Sequence, residues 1–411
     1  MRRDSAFSQP LFRRYFPSSC LSTLGSWIVR FLLGWSAWEL THSALWVGVV
    51  AGLMLLPTFI LSPVFGIVAD RINPRNGLLV TVGLYGLIAL LAGIANTGGQ
   101  FSLPWLLVLA TVLGAATSAH TPIRLALVPR LVPREALPSA IGTSAIIFNT
   151  SRILGPAVGA WSLANYSLSV AFYTATMLFA GAIVLLLSLR VEPRPLRLSS
   201  LSLVQQFQEG LVYVRTHRAI KLILGYTLIN GLLGRTALEL LPALSGQLLA
   251  GDSATLATLT AAAGAGSIMG GLVVSRQTSG EIRLLSLVTF CLVIGASAML
   301  TVHWLQGLTA FSLLVMALSM ITTIVGTGTQ ALAQLMVDED YRGRVLSLWT
   351  VLAMGAPAIG ALIMGGLADL LRFPPVFTGF ALLALLAVAV LFRKRDWLLQ
   401  HESPSQSVTC Q

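Results

Sequence analysis

"GIVADRINPR", residues 66–75, places Asp70, Arg71 and Arg75 between two long apolar runs. Only 10% of the 411 residues are charged and 55% are apolar, with a mean hydropathy of +0.83. A chain of this kind has the bilayer as its solvent. Gly66 permits close helix contact, and Pro74 prevents simple helix continuation. The stretch therefore reads as a short loop at a membrane surface, joining two spans.

Working outward, twelve apolar runs are long enough to cross the hydrocarbon core: 17–40, 44–69, 77–97, 104–128, 138–163, 169–190, 220–248, 254–275, 283–304, 308–336, 343–369 and 374–393. With both termini on the cytoplasmic side, 21 of the 26 lysines and arginines fall on that side and one, Arg372, on the other. This asymmetry sets orientation by the positive-inside rule. It also accounts for the net charge of +11 without nucleic acid as a partner. Trp38, Trp46, Trp105, Trp161 and Trp304 fall near outer boundaries, where an amphipathic ring suits headgroup depth. The N-terminus has basic residues but no short apolar core with a cleavage site, so it reads as a lead into the first span.

Residues 191–219 form the longest polar stretch. Within it Val204, Phe207, Leu211 and Val214 recur at helical spacing, opposite Gln205, Gln206, Gln208 and Glu209. This predicts an amphipathic helix on the inner surface. It divides the chain into a six-span half (1–192), a linker (193–218) and a second six-span half (219–411). The halves echo each other at an offset near 200: Glu39-Leu40 with Glu239-Leu240, and "GPAVGA" (155–160) with "GAPAIG" (355–360). Duplicated six-span halves are a signature of secondary transporters with a site between the halves. The expected fold is thus all-α and membrane-embedded, with twelve transmembrane helices in two pseudo-symmetric bundles.

In such a frame Asp70, Arg71 and Arg75, with Gly66, form a candidate conformational latch at the cytoplasmic side, the anion facing a helix start. For Arg71 and Arg75 alone, ordinary loop placement explains them as well.

These residues carry a resemblance. "GIVADRINPR" resembles the signature between spans two and three of the major facilitator superfamily, with Asn73 and Pro74 departing from the usual Gly-Arg. "ILGPAVGA" (153–160) resembles the fifth-span motif of that superfamily's exporters, through Gly155, Pro156 and Gly159. "STLGSWIVR" (22–30), "WELTHSALWVG" (38–48) and "LVPREALPSA" (131–140) resemble the branch of bacterial siderophore exporters. In that branch an Asp often stands at the position of Ser26. The resemblance implies the major facilitator fold, alternating access and export.

There is no phosphate-binding loop, no metal-ligand cluster and no catalytic arrangement. No enzyme activity, cofactor or metal is expected. Energy is then expected from an ion gradient, which directs attention to ionisable groups inside spans. Arg30, Arg124, Arg152 and Arg235 lie there, with Glu39 and Glu239. Arginine does not shed its proton in practice, so this set predicts a cavity that attracts anions. Arg235 and Glu239 are four apart and share a face, as a pair or as functional groups. His120 and Arg124 are also four apart; His120 titrates near neutrality or serves packing. Arg30 and Glu39, nine apart, lie on opposite faces at about 100° per residue. Asn149 is a further substrate-binding candidate beside Arg152. Glu39, Glu239 and His120 are the proton-coupling candidates. Gly155 and Gly159 read as helix-packing residues.

The reading is an inner-membrane proton antiporter, monomeric among membrane lipids, that exports a small organic anion, with a siderophore the best guess. The alternatives are broad drug efflux and a non-transporting membrane scaffold or sensor.

Overall fold

The computed structural model describes residues 6–133, 136–189, 203–275, 281–338 and 341–393. A 3-10 turn, Ala6–Ser8, precedes α1 (Pro10–Thr41). Then come α2 (Ala44–Arg71), α3 (Pro74–Thr97), α4 (Leu103–Leu131), α5 (Leu137–Asn165) and α6 (Leu168–Leu187). Next is α7 (Leu203–Thr216), which falls within the polar linker as its periodicity predicts. The seventh span is interrupted: α8 (Arg218–Asn230), a π-helical turn (Gly231–Arg235), α9 (Thr236–Glu239) and α10 (Leu241–Leu249). The chain continues through α11 (Ser253–Ser275), α12 (Glu281–Leu300), α13 (Gly307–Met336), α14 (Arg342–Leu371) and α15 (Phe373–Arg393).

Apart from α7, the described residues thus give twelve long helical segments, matching the twelve apolar runs. Eight of them are apolar and long enough to cross a membrane by length and composition. Outside that group are α1, α2, α5 and the broken seventh segment. Two of these, α1 and the seventh, contain Arg30 and Arg235 within their length.

Local chemistry sets the helix ends. Ser43, Asn73 and Ser167 each accept a backbone N–H at the start of α2, α3 and α6, as capping residues do. Pro74 occupies the first turn of α3, where its missing N–H costs nothing. The link from α2 to α3 is therefore two residues, Ile72 and Asn73. Asp252 accepts the backbone N–H of Thr255 at 2.9 Å and its hydroxyl at 3.0 Å. These bonds hold the exposed Asp252 carboxyl below its ordinary pKa.

Helices α1 to α6 pack among themselves, with α3 on α4 and α6, α2 on α4, and α1 on α5 and α6. In the second half α13 packs on α11, α12 and α8. The halves meet mainly through α2 on α14 and α5 on α11. Small residues make the first of these contacts possible. Gly48 lies against the Ala361 carbonyl and Gly365 against that of Ala44, and a Cβ at either would overlap the opposing backbone.

The same contact carries a polar clasp. Asp369, near the end of α14, accepts the Ala44 N–H at 2.7 Å, the Leu45 N–H at 3.1 Å and the Ser43 hydroxyl at 2.5 Å. A carboxylate there meets unsatisfied donors and the positive end of α2. The clasp lies at the end of the bundle opposite the chain's entry. At that end Trp38 of α1 also packs on Gly246 of α10, leaving no room for a Cβ.

Candidate substrate-binding site

The break in the seventh segment shapes the centre of the molecule. Pro242 sits in the first turn of α10 and removes one helical hydrogen bond. Leu240 before it leaves helical geometry, at φ −92° and ψ 9°. Gly231–Arg235 form the π turn, a distortion that is uncommon outside functional sites. Thr236 gives both its backbone N–H and its hydroxyl, the latter at 2.9 Å, to the Gly231 carbonyl and so closes the π turn. Discontinuous helices of this kind line transporter binding sites.

Beside this break lies an open cavity, with about 830 Å³ of empty space when the solvent at its mouth is included. Its wall includes Trp27, Arg30 and Phe31 of α1, Met54 of α2 and Arg152 of α5. From the other half come Arg235, Glu239, Leu256 and Thr260. Both halves thus contribute, and three arginines meet one glutamate.

The ionic geometry is asymmetric. Glu239 Oε2 accepts Arg30 Nη2 at 3.0 Å, a bond from one half to the other. Glu239 Oε1 lies 3.5 Å from Arg235 Nε on its own segment. One carboxylate therefore serves two guanidiniums. Arg152 instead donates through Nη1 to Ser267 Oγ of α11 at 3.2 Å. Ser267 Oγ in turn accepts the Thr323 hydroxyl of α13 at 3.0 Å. This relay fixes Arg152 while most of its five donors have no partner among the described residues. The Trp27 ring lies between two of the cations, with Arg30 Cζ 5.9 Å and Arg152 Cζ 6.0 Å from its centroid. The cavity holds a surplus of two positive charges inside a largely apolar wall.

Other sequence candidates lie elsewhere. Arg124 does not line the cavity; its charge acts on Tyr15, Tyr85 and His120 within the first half. His120 Nδ1 is hydrogen-bonded with Thr81 Oγ1 at 3.0 Å, and its ring lies 5.3 Å from that of Tyr85. Glu39 is exposed at the end of α1. The side chain of Asn149 lies outside the described residues, as do the surroundings of Gly66 and Asp70. Arg71 is exposed. Arg75 donates to the Leu186 carbonyl at 3.2 Å and to that of Leu187 at 2.7 Å. It thereby ties α3 to the C-terminal end of α6, within one half. Gly155 and Gly159 lie against Trp27 and Phe31 of α1, and Pro156 lines the cavity.

Sequence reasoning missed Trp27, Ser267 and the break in the seventh segment. The break had a signal in Gly231, Gly234 and Pro242. Ser267 had none, since serine on an apolar helix is common.

Twelve long helical segments among the described residues, set around a charged central cavity, fit a multi-pass membrane transporter. The chain belongs to the MFS_3 family, described as transmembrane secretion effectors, whose model matches residues 4–408, and thus to the major facilitator superfamily. It is similar to the staphyloferrin A transporter of Staphylococcus aureus, 24% identical over 374 residues, covering 89% of this chain and 91% of that one. The enterobactin exporter of Salmonella paratyphi A is 27% identical over 406 residues, covering 93% of each. Macrolide efflux protein A of Streptococcus pyogenes is 24% identical over 367 residues, covering 87% of this chain and 89% of that one. Among solved structures, an inward-facing bacterial homologue of the lysosomal transporter Spinster superposes with a TM-score of 0.73 at 15% identity, covering 96% of this chain and 99% of that one. That likeness concerns the fold.

Proposed function

We propose that this protein exports a small organic anion across the bacterial inner membrane by alternating access, with a siderophore as the best-fitting cargo. Proton binding is linked to transport, and Glu239 is the group that takes the proton. Both termini face the cytoplasm, following the distribution of lysine and arginine. In that orientation the Asp369 clasp closes the outer end, and the outward step requires it to open.

One observation carries the reading: three guanidiniums and a single carboxylate face the cavity. Arginine suits carboxylates and other planar anions through bidentate bonding. The relatives named for staphyloferrin A and enterobactin support the same cargo class. The apolar wall and the relative named for macrolide efflux favour a second reading, broad drug efflux.

Inside-out membrane vesicles separate the two. Vesicles carrying the protein should accumulate an iron-free catecholate siderophore and leave the cationic dye ethidium outside. Accumulation of ethidium without the siderophore would establish the second reading instead.

A further inference from the structure

The shared carboxylate bears on how a proton would be linked to the cargo. Glu239 bridges Arg30 and Arg235, while no carboxylate pairs with Arg152 among the described residues. Resting on the anion reading above, we propose that the cavity takes up its anion together with a proton, which the anion drives onto Glu239.

An acidic group entering the cavity meets Arg152 first, because that guanidinium is held by Ser267 and its remaining donors are open. A second acidic group on the same molecule then reaches Arg30 and Arg235. There it competes with Glu239 for the two guanidiniums and repels its like charge, which drives the carboxylate off them. The displaced carboxylate is mostly buried, with 13% of its side chain exposed, and has lost both partners. An unpaired carboxylate in such a place is costly, and a proton removes the cost. The balance is simple: the anion's oxygens replace those of Glu239 on two guanidiniums, and the carboxylate takes up one proton supplied by the bulk solution.

Other groups do not supply this proton. The charged groups that face Glu239 are all guanidiniums: Arg30 from α1, Arg235 from the π turn and Arg152 from α5. Val47, Ala51 and Met54 of α2 are apolar, and α11 contributes Thr260. His120 bonds Thr81 away from the cavity.

By reciprocity, whatever the anion does to proton binding the proton does to anion binding. Proton and anion therefore promote each other, whereas exchange at one site needs them to compete. The antiport expected from the sequence does not arise from Glu239. A multiply charged anion bound with one proton still carries net negative charge, so an inside-negative potential drives it outward.

Calorimetry on the purified full-length protein tests this. The probes are naphthalenedisulfonate, whose charge does not titrate, and dihydroxybenzoate. Titration at neutral pH in two buffers of different ionisation enthalpy gives the protons taken up. Wild type should take up close to one proton per naphthalenedisulfonate bound, with affinity rising up to about tenfold per pH unit lowered. Glu239→Gln should bind at least as tightly, with no uptake and no such pH dependence. An infrared band of a protonated carboxylic acid should appear on binding in wild type and not in the variant. Binding without proton uptake, or with release, overturns the inference and leaves the anion reading standing. Binding of neither probe overturns both.

Discussion

At the scale of single residues, Arg152 and Ser267 divide one task. Arg152 supplies a charge that pairs with no carboxylate among the described residues, and Ser267, itself held by Thr323, aims it. A hydrogen bond to a charged group contributes about 1.5–3 kcal/mol. Arg152→Ala should therefore weaken dihydroxybenzoate binding by roughly 10- to 100-fold. Ser267→Ala leaves the charge and loosens only its aim, so a loss of about threefold is expected. Titration calorimetry of both variants checks the ranking, and a larger loss from Ser267→Ala would contradict it. Arg124 bears the same charge in a different setting, near His120 and Tyr15.

Among elements, the two that matter most are the broken seventh segment and the α2–α14 contact. Pro242 and the π turn convert what reads as one span into short pieces that present Arg235 and Glu239 to the cavity. The α2–α14 contact holds one end of the molecule shut through Asp369 and the donors at the start of α2. A carboxylate at a helix N-terminus contributes about 1–2 kcal/mol in a partly buried geometry. Asp369→Ala should shift the clasp toward opening by roughly tenfold. Spin labels at Leu45 and Leu370, both exposed, report this as a longer component in their distance distribution. An unchanged distribution would show that small-residue packing at Gly48 and Gly365 closes this end unaided. Arg75 has a different part at the other end, binding the last carbonyls of α6.

For the molecule as a whole, the helices were legible in the sequence because each span must satisfy its backbone internally and face lipid. That demand writes long apolar runs, and Leu203–Thr216 was equally plain from its amphipathic spacing. The site was legible in part. Costly charges inside spans pointed to Arg30, Arg152, Arg235 and Glu239, yet the same logic also pointed to Arg124 and His120. Hydropathy fixes the depth of a residue but not the rotation of its helix, so cavity-facing and packed charges look alike. The partner of Arg30 was hidden for a related reason. Glu239 lies 209 positions away, and only the meeting of the two halves brings it within reach. The polar role of Asp369 is likewise invisible without α2 beside it.

A positive cavity shared by two halves is the feature on which the proposed cargo and coupling rest. Proteoliposome flux tests it most directly, comparing wild type with the Arg30→Ala/Arg152→Ala double variant. That variant leaves one arginine against one glutamate, a neutral wall. Wild type should move naphthalenedisulfonate and not ethidium, and the double variant should lose at least about tenfold of the anion flux. Undiminished anion flux in the double variant, or a wild-type preference for ethidium, would contradict an anion-selective cavity.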